Sequence, residues 1–234
     1  MSTPHLTLLQ VAPAPSVADY ERAARRVRIL SWISLVWMGA EGTIAILAGV
    51  MAGSIALIGF GIDSAIEGFA SAIIIWRFTG ARMHSHAAEQ RAQKLVAIQF
   101  FVLAPYVAFA SVRALAGAER PDETLVGILL ACGSVIFMPM LGIAKQRIAD
   151  QLGSAATKGE GRQNMLCAYL AGALLIGLLG NAWFGAWWLD AIVGLLIAAV
   201  AVKEGLEAWR GEGCCVASPI SDEPAACEAD CCTQ

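Results

Sequence analysis

Apolar segments separated by short polar connections occupy most of the chain. An apolar helix of about 20 residues crosses a hydrocarbon core about 30 Å thick, and a helix satisfies its backbone hydrogen bonds internally there. The pattern therefore predicts an all-α, polytopic membrane protein with six transmembrane helices. The predicted spans cover residues 29–51, 54–78, 95–117, 125–144, 164–181 and 187–209.

The segments between and beyond the spans complete the predicted organisation. A cytoplasmic N-terminal segment (1–28) precedes a six-helix transmembrane domain (29–210), and a Cys-rich acidic cytoplasmic tail (211–234) follows it. That tail is too short to form an independent core. A polar loop is predicted over 77–94. The basic loop predicted between the fourth and fifth spans contains Lys145, Arg147, Lys158 and Arg162.

Composition supports the membrane interpretation. Hydrophobic residues make up 58% of the chain and charged residues 15%, whereas soluble domains average roughly 45–50% and about 25%. This excludes an ordinary soluble domain. We expect no cleavable signal peptide, because the basic cluster at 22–28 follows the weakly apolar stretch 6–11 instead of preceding it.

The distribution of Lys and Arg predicts the orientation, because cytoplasmic segments of membrane proteins are enriched in these residues. In the six-span arrangement, the outer side carries only Arg113 and Arg120. Both termini are therefore predicted to be cytoplasmic. The inner side carries Arg22, Arg25, Arg26, Arg28, Arg77, Arg82, Arg91, Lys94, Lys145, Arg147, Lys158, Arg162, Lys203 and Arg210.

Two carboxylates lie near the centre of the second span. Asp63 and Glu67 are four residues apart, so they project from one helix face. A charge at this depth costs roughly 2.5–3.5 kcal/mol on insertion scales. A divalent metal ion would compensate both charges, and Glu41 in the first span is an accessory candidate. The alternative is a protonated pair that hydrogen-bonds neighbouring helices.

The fifth span offers a second polar face. Glu160, Asn164 and Cys167 follow one another at helical spacing. Either the fifth helix begins before residue 164 and places Glu160 deep in the membrane, or the deep ligands are Asn164 and Cys167. The sequence leaves both open.

Structural explanations of the same three residues also remain open. Glu160 would then be a solvated loop charge paired with Lys158 or Arg162. Asn164 would form an interhelical hydrogen bond. Cys167 would pack as a small apolar side chain, as buried cysteines commonly do.

Five cysteines lie in the predicted tail, among acidic residues. A cytoplasmic location is reducing, so we expect free thiols there. These thiols are candidates for the capture of zinc or cadmium. The alternatives are an unstructured tail with incidental thiols and palmitoylation of the first two cysteines. The five are Cys214, Cys215, Cys227, Cys231 and Cys232.

Two stretches resemble the cation diffusion facilitator family. Ser54-Ile-Ala-Leu, followed by Asp63-Ser-Ala-Ile-Glu67, is similar to the second span of that family, with its acidic pair. Trp187-Trp188-Leu189-Asp190-Ala191-Ile192 is similar to the opening of its sixth span. The resemblance covers roughly residues 29–210. It implies a short subgroup without the soluble C-terminal domain of the family.

The resemblance also implies a function. It implies export of a divalent transition metal in exchange for protons, by a homodimer. Zinc is our leading hypothesis for that metal. Asp63 and Glu67 map onto the metal ligands of the second span. On the fifth span, Glu160-x-x-x-Asn164 is the nearest match to the family's His-x-x-x-Asp, and it departs from that motif at both positions.

Chemistry other than transport has little support in the sequence. We see no nucleophile–base arrangement and no phosphate-binding loop, so we expect neither an enzyme nor a prosthetic group. The expected partners are the lipid bilayer, a divalent metal ion and protons, without nucleic acid. The expected location is a bacterial inner membrane. Two alternatives are an iron or manganese exporter of the same fold and a non-transporting membrane protein that senses metal.

Overall fold

The computed structural model describes residues 16–52, 55–117, 125–184 and 188–210. Within these ranges the chain is helical and contains no strand, which confirms the all-α prediction. A short 3₁₀ helix covers Gly80–His84. The α-helices are α1 (Val17–Ala52), α2 (Ile55–Arg77), α3 (His86–Leu115), α4 (Leu125–Leu152), α5 (Ala155–Phe184) and α6 (Leu189–Arg210).

The described helices have the properties of membrane spans. In these parts of the chain, four segments are long and apolar enough to cross a membrane: Val17–Met51, Ile58–Arg77, His86–Leu115 and Leu125–Leu152. Large apolar side chains such as Val36 face outward, as expected for contact with lipid. The protein is therefore a multi-pass integral membrane protein.

The predicted polar loop at 77–94 is largely helical. The 3₁₀ helix and the first turns of α3 fill it, and α3 begins at His86 instead of residue 95. Its N-terminus is capped by Ser85, whose hydroxyl accepts a hydrogen bond from the Ala88 N–H. Such a cap stabilises a helix that begins in polar sequence. The apolar pattern does not record the cap, so it predicted the start of the third helix too late.

The predicted basic loop between the fourth and fifth spans is wrong. The structure joins α4 to α5 by a tight turn at Gly153, whose φ of 59° suits glycine. Ser154 caps α5 by accepting a hydrogen bond from the Thr157 N–H at 3.1 Å. All four basic residues assigned to a loop therefore lie on helices: Lys145 and Arg147 on α4, and Lys158 and Arg162 on α5.

Glycines allow two helix pairs to pack closely. A Cβ atom on Gly61 of α2 would lie 2.8 Å from the carbonyl oxygen of Gly42 on α1. A Cβ atom on Gly142 of α4 would likewise lie 2.8 Å from the carbonyl oxygen of Gly161 on α5. Small residues at such contacts let helix backbones approach within membranes. The pairs α1–α2 and α4–α5 are thus held together in the same manner.

Polar contacts connect the helices at the end of the bundle where α1 begins and α6 ends, here called the charged end. Glu89 near the start of α3 pairs with Arg77 at 2.8 Å and accepts a hydrogen bond from Ser154 at 2.9 Å. Gln93 donates to the carbonyl of Ala208 at 2.6 Å. The ends of α2, α3, α5 and α6 therefore meet here.

Candidate metal site

The acidic pair of α2 lies inside the bundle. Asp63 is 8% exposed and Glu67 is 3% exposed. Among the described residues, Asp63 Oδ1 and both Glu67 carboxylate oxygens have no hydrogen-bond partner. Buried polar groups are normally satisfied, and an unsatisfied buried carboxylate is costly. An external cation or protons would compensate these buried oxygens.

Glu41 joins this pair from α1. Its carboxylate is buried and accepts hydrogen bonds from Ser64 Oγ of α2, at 3.1 Å, and from Ser134 Oγ of α4. Because Ser64 is the neighbour of Asp63 on α2, its hydrogen bond brings Glu41 towards the acidic pair. Three carboxylates thus share one buried region, and Glu41 differs from the other two because hydroxyl groups fix its orientation.

Cys167 approaches the carboxylates from α5. Its side chain is buried beside the Glu67 carboxyl group. Carboxylates and a thiolate are suitable ligands for zinc. Within the described residues, however, no three His, Cys, Asp or Glu side chains are close enough together to hold a metal ion. The donor set therefore has suitable chemistry, but in the described structure these side chains are not arranged as a coordination shell.

Gln163 of α5 lies beside the polar residues of this face in the sequence but was not among the predicted ligands. It follows Gly161 by two residues and precedes Cys167 by four, just as Asp63 follows Gly61 and precedes Glu67. The glycines make equivalent contacts in their helix pairs. Gln163 is fully buried, and neither of its amide atoms has a partner in the described structure. The repeated spacing is the sequence signal that could have identified Gln163, and its burial without a partner is the structural one.

The two other residues predicted on α5 have a different environment. Glu160 is fully buried, and its Oε1 atom lies 2.7 Å from Nζ of Lys145 on α4, which is also fully buried. Ser31 of α1 donates a hydrogen bond to Glu160 Oε2 at 2.9 Å. Lys145 also donates to Ser34 Oγ at 2.6 Å. A buried ion pair therefore ties α1, α4 and α5 together.

Asn164 completes this cluster. With its amide oriented to satisfy both neighbours, its oxygen accepts a hydrogen bond from Lys145 Nζ at 3.2 Å and its nitrogen donates to the Glu160 carbonyl at 3.3 Å. Because α5 begins at Ala155, before the predicted start at residue 164, Glu160 lies within this helix and is buried in the bundle. The geometry gives the ligand prediction for Glu160 and Asn164 no direct support, and it stays a prediction.

The alternative partners considered for Glu160 are wrong. Lys158 pairs with Asp150 at 3.2 Å on the surface. Arg162 pairs with Glu204 and with Glu207 of α6. The solvated-loop explanation of Glu160 is therefore excluded, and Lys145, which was assigned to a loop, is its partner instead.

A cavity of about 400 Å³ reaches Asp63. It lies between α2, α3, α5 and α6, and Tyr106, Ser111 and Arg113 are among its lining residues. These residues lie in the half of the bundle away from the charged end. The candidate site thus adjoins open space on that side.

The predicted site residues fall into three groups. Asp63, Glu67, Glu41 and Cys167 share one buried region, whereas Glu160 and Asn164 surround Lys145. The tail cysteines lie outside the described residues, and the predicted metal capture by that tail stays a prediction. They are Cys214, Cys215, Cys227, Cys231 and Cys232.

Comparison with known proteins defines the class. The sequence model of the cation efflux transmembrane domain matches residues 31–210, and the chain belongs to this family. The resemblance seen in the second and sixth spans is thereby confirmed. Transmembrane protein 163 of Xenopus laevis is 23% identical over 182 residues, which are 76% of this chain and 64% of that protein. The chain thus spans less than two thirds of the length of this relative.

Proposed function

We propose that the protein exports a divalent transition metal, zinc first, across the membrane in exchange for protons. The observation that carries this proposal is the pair Asp63 and Glu67, whose buried carboxylate oxygens lack partners in the described structure. Membership of the cation efflux family supports cation transport. A dehydrated divalent ion would supply the positive charge that these two groups lack.

The composition of the donor set supports zinc. Asp63, Glu67 and Glu41 offer oxygen ligands, and Cys167 adds a soft sulfur ligand. Zinc accepts both kinds of donor, whereas manganese prefers oxygen ligands alone. Gln163 on the same face of α5 would orient the bound ion or its remaining water through its amide. The iron or manganese alternative rests on the oxygen ligands and requires that Cys167 stay uncoordinated.

The proposed transport cycle uses the same carboxylates for metal and protons. When the ion leaves, protonation of Asp63 and Glu67 removes the cost of two buried charges and allows the empty site to return. The cavity beside Asp63 supports release away from the charged end. Alternating access would arise from helix movements around this site, as in other transporters.

The proposed topology has six spans with both termini in the cytoplasm. The concentration of Lys and Arg at the charged end supports its assignment to the cytoplasmic side. A homodimer is proposed from the family resemblance alone. Compact connections, such as the turn at Gly153, support a bacterial inner membrane as the location.

Zinc flux into reconstituted vesicles tests the proposal. Asp63→Asn should abolish the flux that a pH gradient drives in the wild-type protein. Asp150→Asn is the matched control, because it changes an exposed carboxylate on α4, and it should transport normally. Equal fluxes through the wild type and Asp63→Asn would reject the proposed site.

The flux of the wild-type protein also distinguishes a transporter from the non-transporting alternative, which would give no zinc flux. A membrane metal sensor that acts through the tail would lose its response on deletion of 211–234 and keep it in Asp63→Asn. A transporter of the proposed kind shows the reverse order of sensitivity.

A further inference from the structure

The ammonium group of Lys145 is enclosed by oxygen atoms from two neighbouring helices. Its contacts are Ser34 Oγ at 2.6 Å, Glu160 Oε1 at 2.7 Å and the Asn164 amide oxygen at 3.2 Å. Lys145 and Glu160 are both fully buried, and Ser31 holds the second Glu160 oxygen. We call Ser34, Glu160 and Asn164 the oxygen cage.

An oxygen cage of this composition is suited to a cation. A carboxylate, a hydroxyl and an amide oxygen are ligands that hard metal ions accept. In this protein the cation is supplied by the chain itself, because Lys145 extends from α4 into the cage. A second cation in the same place would be repelled by the ammonium at close range, with little solvent to screen it.

We propose that Lys145 is a specificity-determining residue that fills the oxygen cage, keeps Glu160 and Asn164 from binding metal, and confines the transported ion to Asp63 and Glu67. This inference rests on the proposed function, because it assigns the metal to the α2 pair. It also explains why the fifth span can depart from the family motif at both positions without forming a second metal site.

Distance along α5 supports the separation of the two sites. Glu160 and Cys167 are seven residues apart, which is about 10 Å along a helix that rises about 1.5 Å per residue. A zinc–ligand bond is only about 2.0–2.3 Å long. Both Glu160 carboxylate oxygens are also engaged, by Lys145 and Ser31, so Glu160 would have to leave these partners to coordinate an ion bound between Glu67 and Cys167.

Zinc binding to the purified full-length protein, measured by equilibrium dialysis, tests the inference. The five tail cysteines are replaced by Ser in every variant, so that they do not contribute sites. The protein with Lys145 intact should bind one zinc ion per chain, and Lys145→Ala should bind one more. The added site should disappear in Lys145→Ala combined with Glu160→Gln, and also in Lys145→Met, which fills the space without a charge. Unchanged stoichiometry in Lys145→Ala would overturn the inference.

A milder variant keeps the inference testable if Lys145→Ala does not fold. Asn164→Ala preserves the ion pair and removes only the amide. Its zinc affinity should equal that of the wild type, and a loss as large as that of Asp63→Asn would identify Asn164 as a ligand and overturn the inference. Zinc binding that survives in Asp63→Asn would instead reject the proposed function, which is a separate outcome.

Discussion

Lys145 Nζ and Glu160 Oε1 lie 2.7 Å apart in the interior of the bundle, and neither side chain is exposed. The pair links α4 to α5 across the turn at Gly153 and reaches α1 through Ser31 and Ser34. A buried pair of this kind stabilises little relative to apolar packing, but removal of one partner leaves an uncompensated charge.

Breaking this buried pair should strongly destabilise the protein. Glu160→Gln leaves the Lys145 ammonium without a counter-charge, and we expect the free energy of unfolding to fall by about 3–5 kcal/mol. Lys158→Met is the matched control, because it breaks the exposed pair with Asp150 on the same two helices and should cost no more than about 1 kcal/mol. Denaturation in detergent measures both, and equal effects would contradict the importance of burial.

The carboxylates proposed to bind metal should behave in the opposite way. Asp63→Asn and Glu67→Gln remove buried charges that have no partner in the described structure, so the apparent melting temperature without metal should stay the same or rise. Zinc should then no longer stabilise either variant, because the ligands are lost. Thermal unfolding with and without zinc measures both effects. A large drop in stability without metal would indicate a structural role for the pair.

Close glycine contacts should tolerate no side chain. Gly142→Ala would place a methyl group 2.8 Å from the Gly161 carbonyl oxygen, and such overpacking typically costs about 1–3 kcal/mol. Gly39→Ala is the control, because a Cβ atom there meets nothing within 4 Å. That change should stabilise α1 by roughly 0.5–1 kcal/mol, as expected for Gly→Ala within a helix. The same sign of change in both variants, measured by thermal unfolding, would contradict the close packing of α4 and α5.

Cys167 should determine which metal ion the protein prefers to transport. Cys167→Ser replaces a soft sulfur ligand by a hydroxyl, so transport should shift from zinc or cadmium towards manganese. Competition between these ions in vesicle flux measures the shift. Cys132→Ser is the control, because Cys132 is an exposed cysteine on α4, and it should leave the preference unchanged. An unaltered preference in Cys167→Ser would remove Cys167 from the coordination shell.

The fold could be predicted from the sequence where the apolar pattern is strong. The helices α1 and α4 include the first and fourth predicted spans, and α2 and α3 cover all but one or two terminal residues of the second and third. Their ends could not be predicted equally well, because hydropathy records where the bilayer ends and not where the helix ends. Caps such as Ser85 and Ser154 extend α3 and α5 through polar sequence that the pattern assigned to loops.

The candidate site was predictable only in part for a related reason. Asp63 and Glu67 stand out because charges are rare within an apolar span. Lys145 was missed because a basic residue at the end of an apolar segment is ordinarily at the membrane surface. Its burial depends on Glu160, which lies on the next helix and becomes a neighbour only through the turn at Gly153.

The location of bound zinc is the decisive test of a metal site at Asp63 and Glu67. Anomalous scattering at the zinc absorption edge, from crystals of the protein grown with zinc, would show the ion independently of any assumed ligand. We expect a peak within bonding distance of the carboxylates of Asp63 and Glu67. A fully occupied peak beside Glu160 and Asn164, with none at the α2 pair, would contradict this expectation.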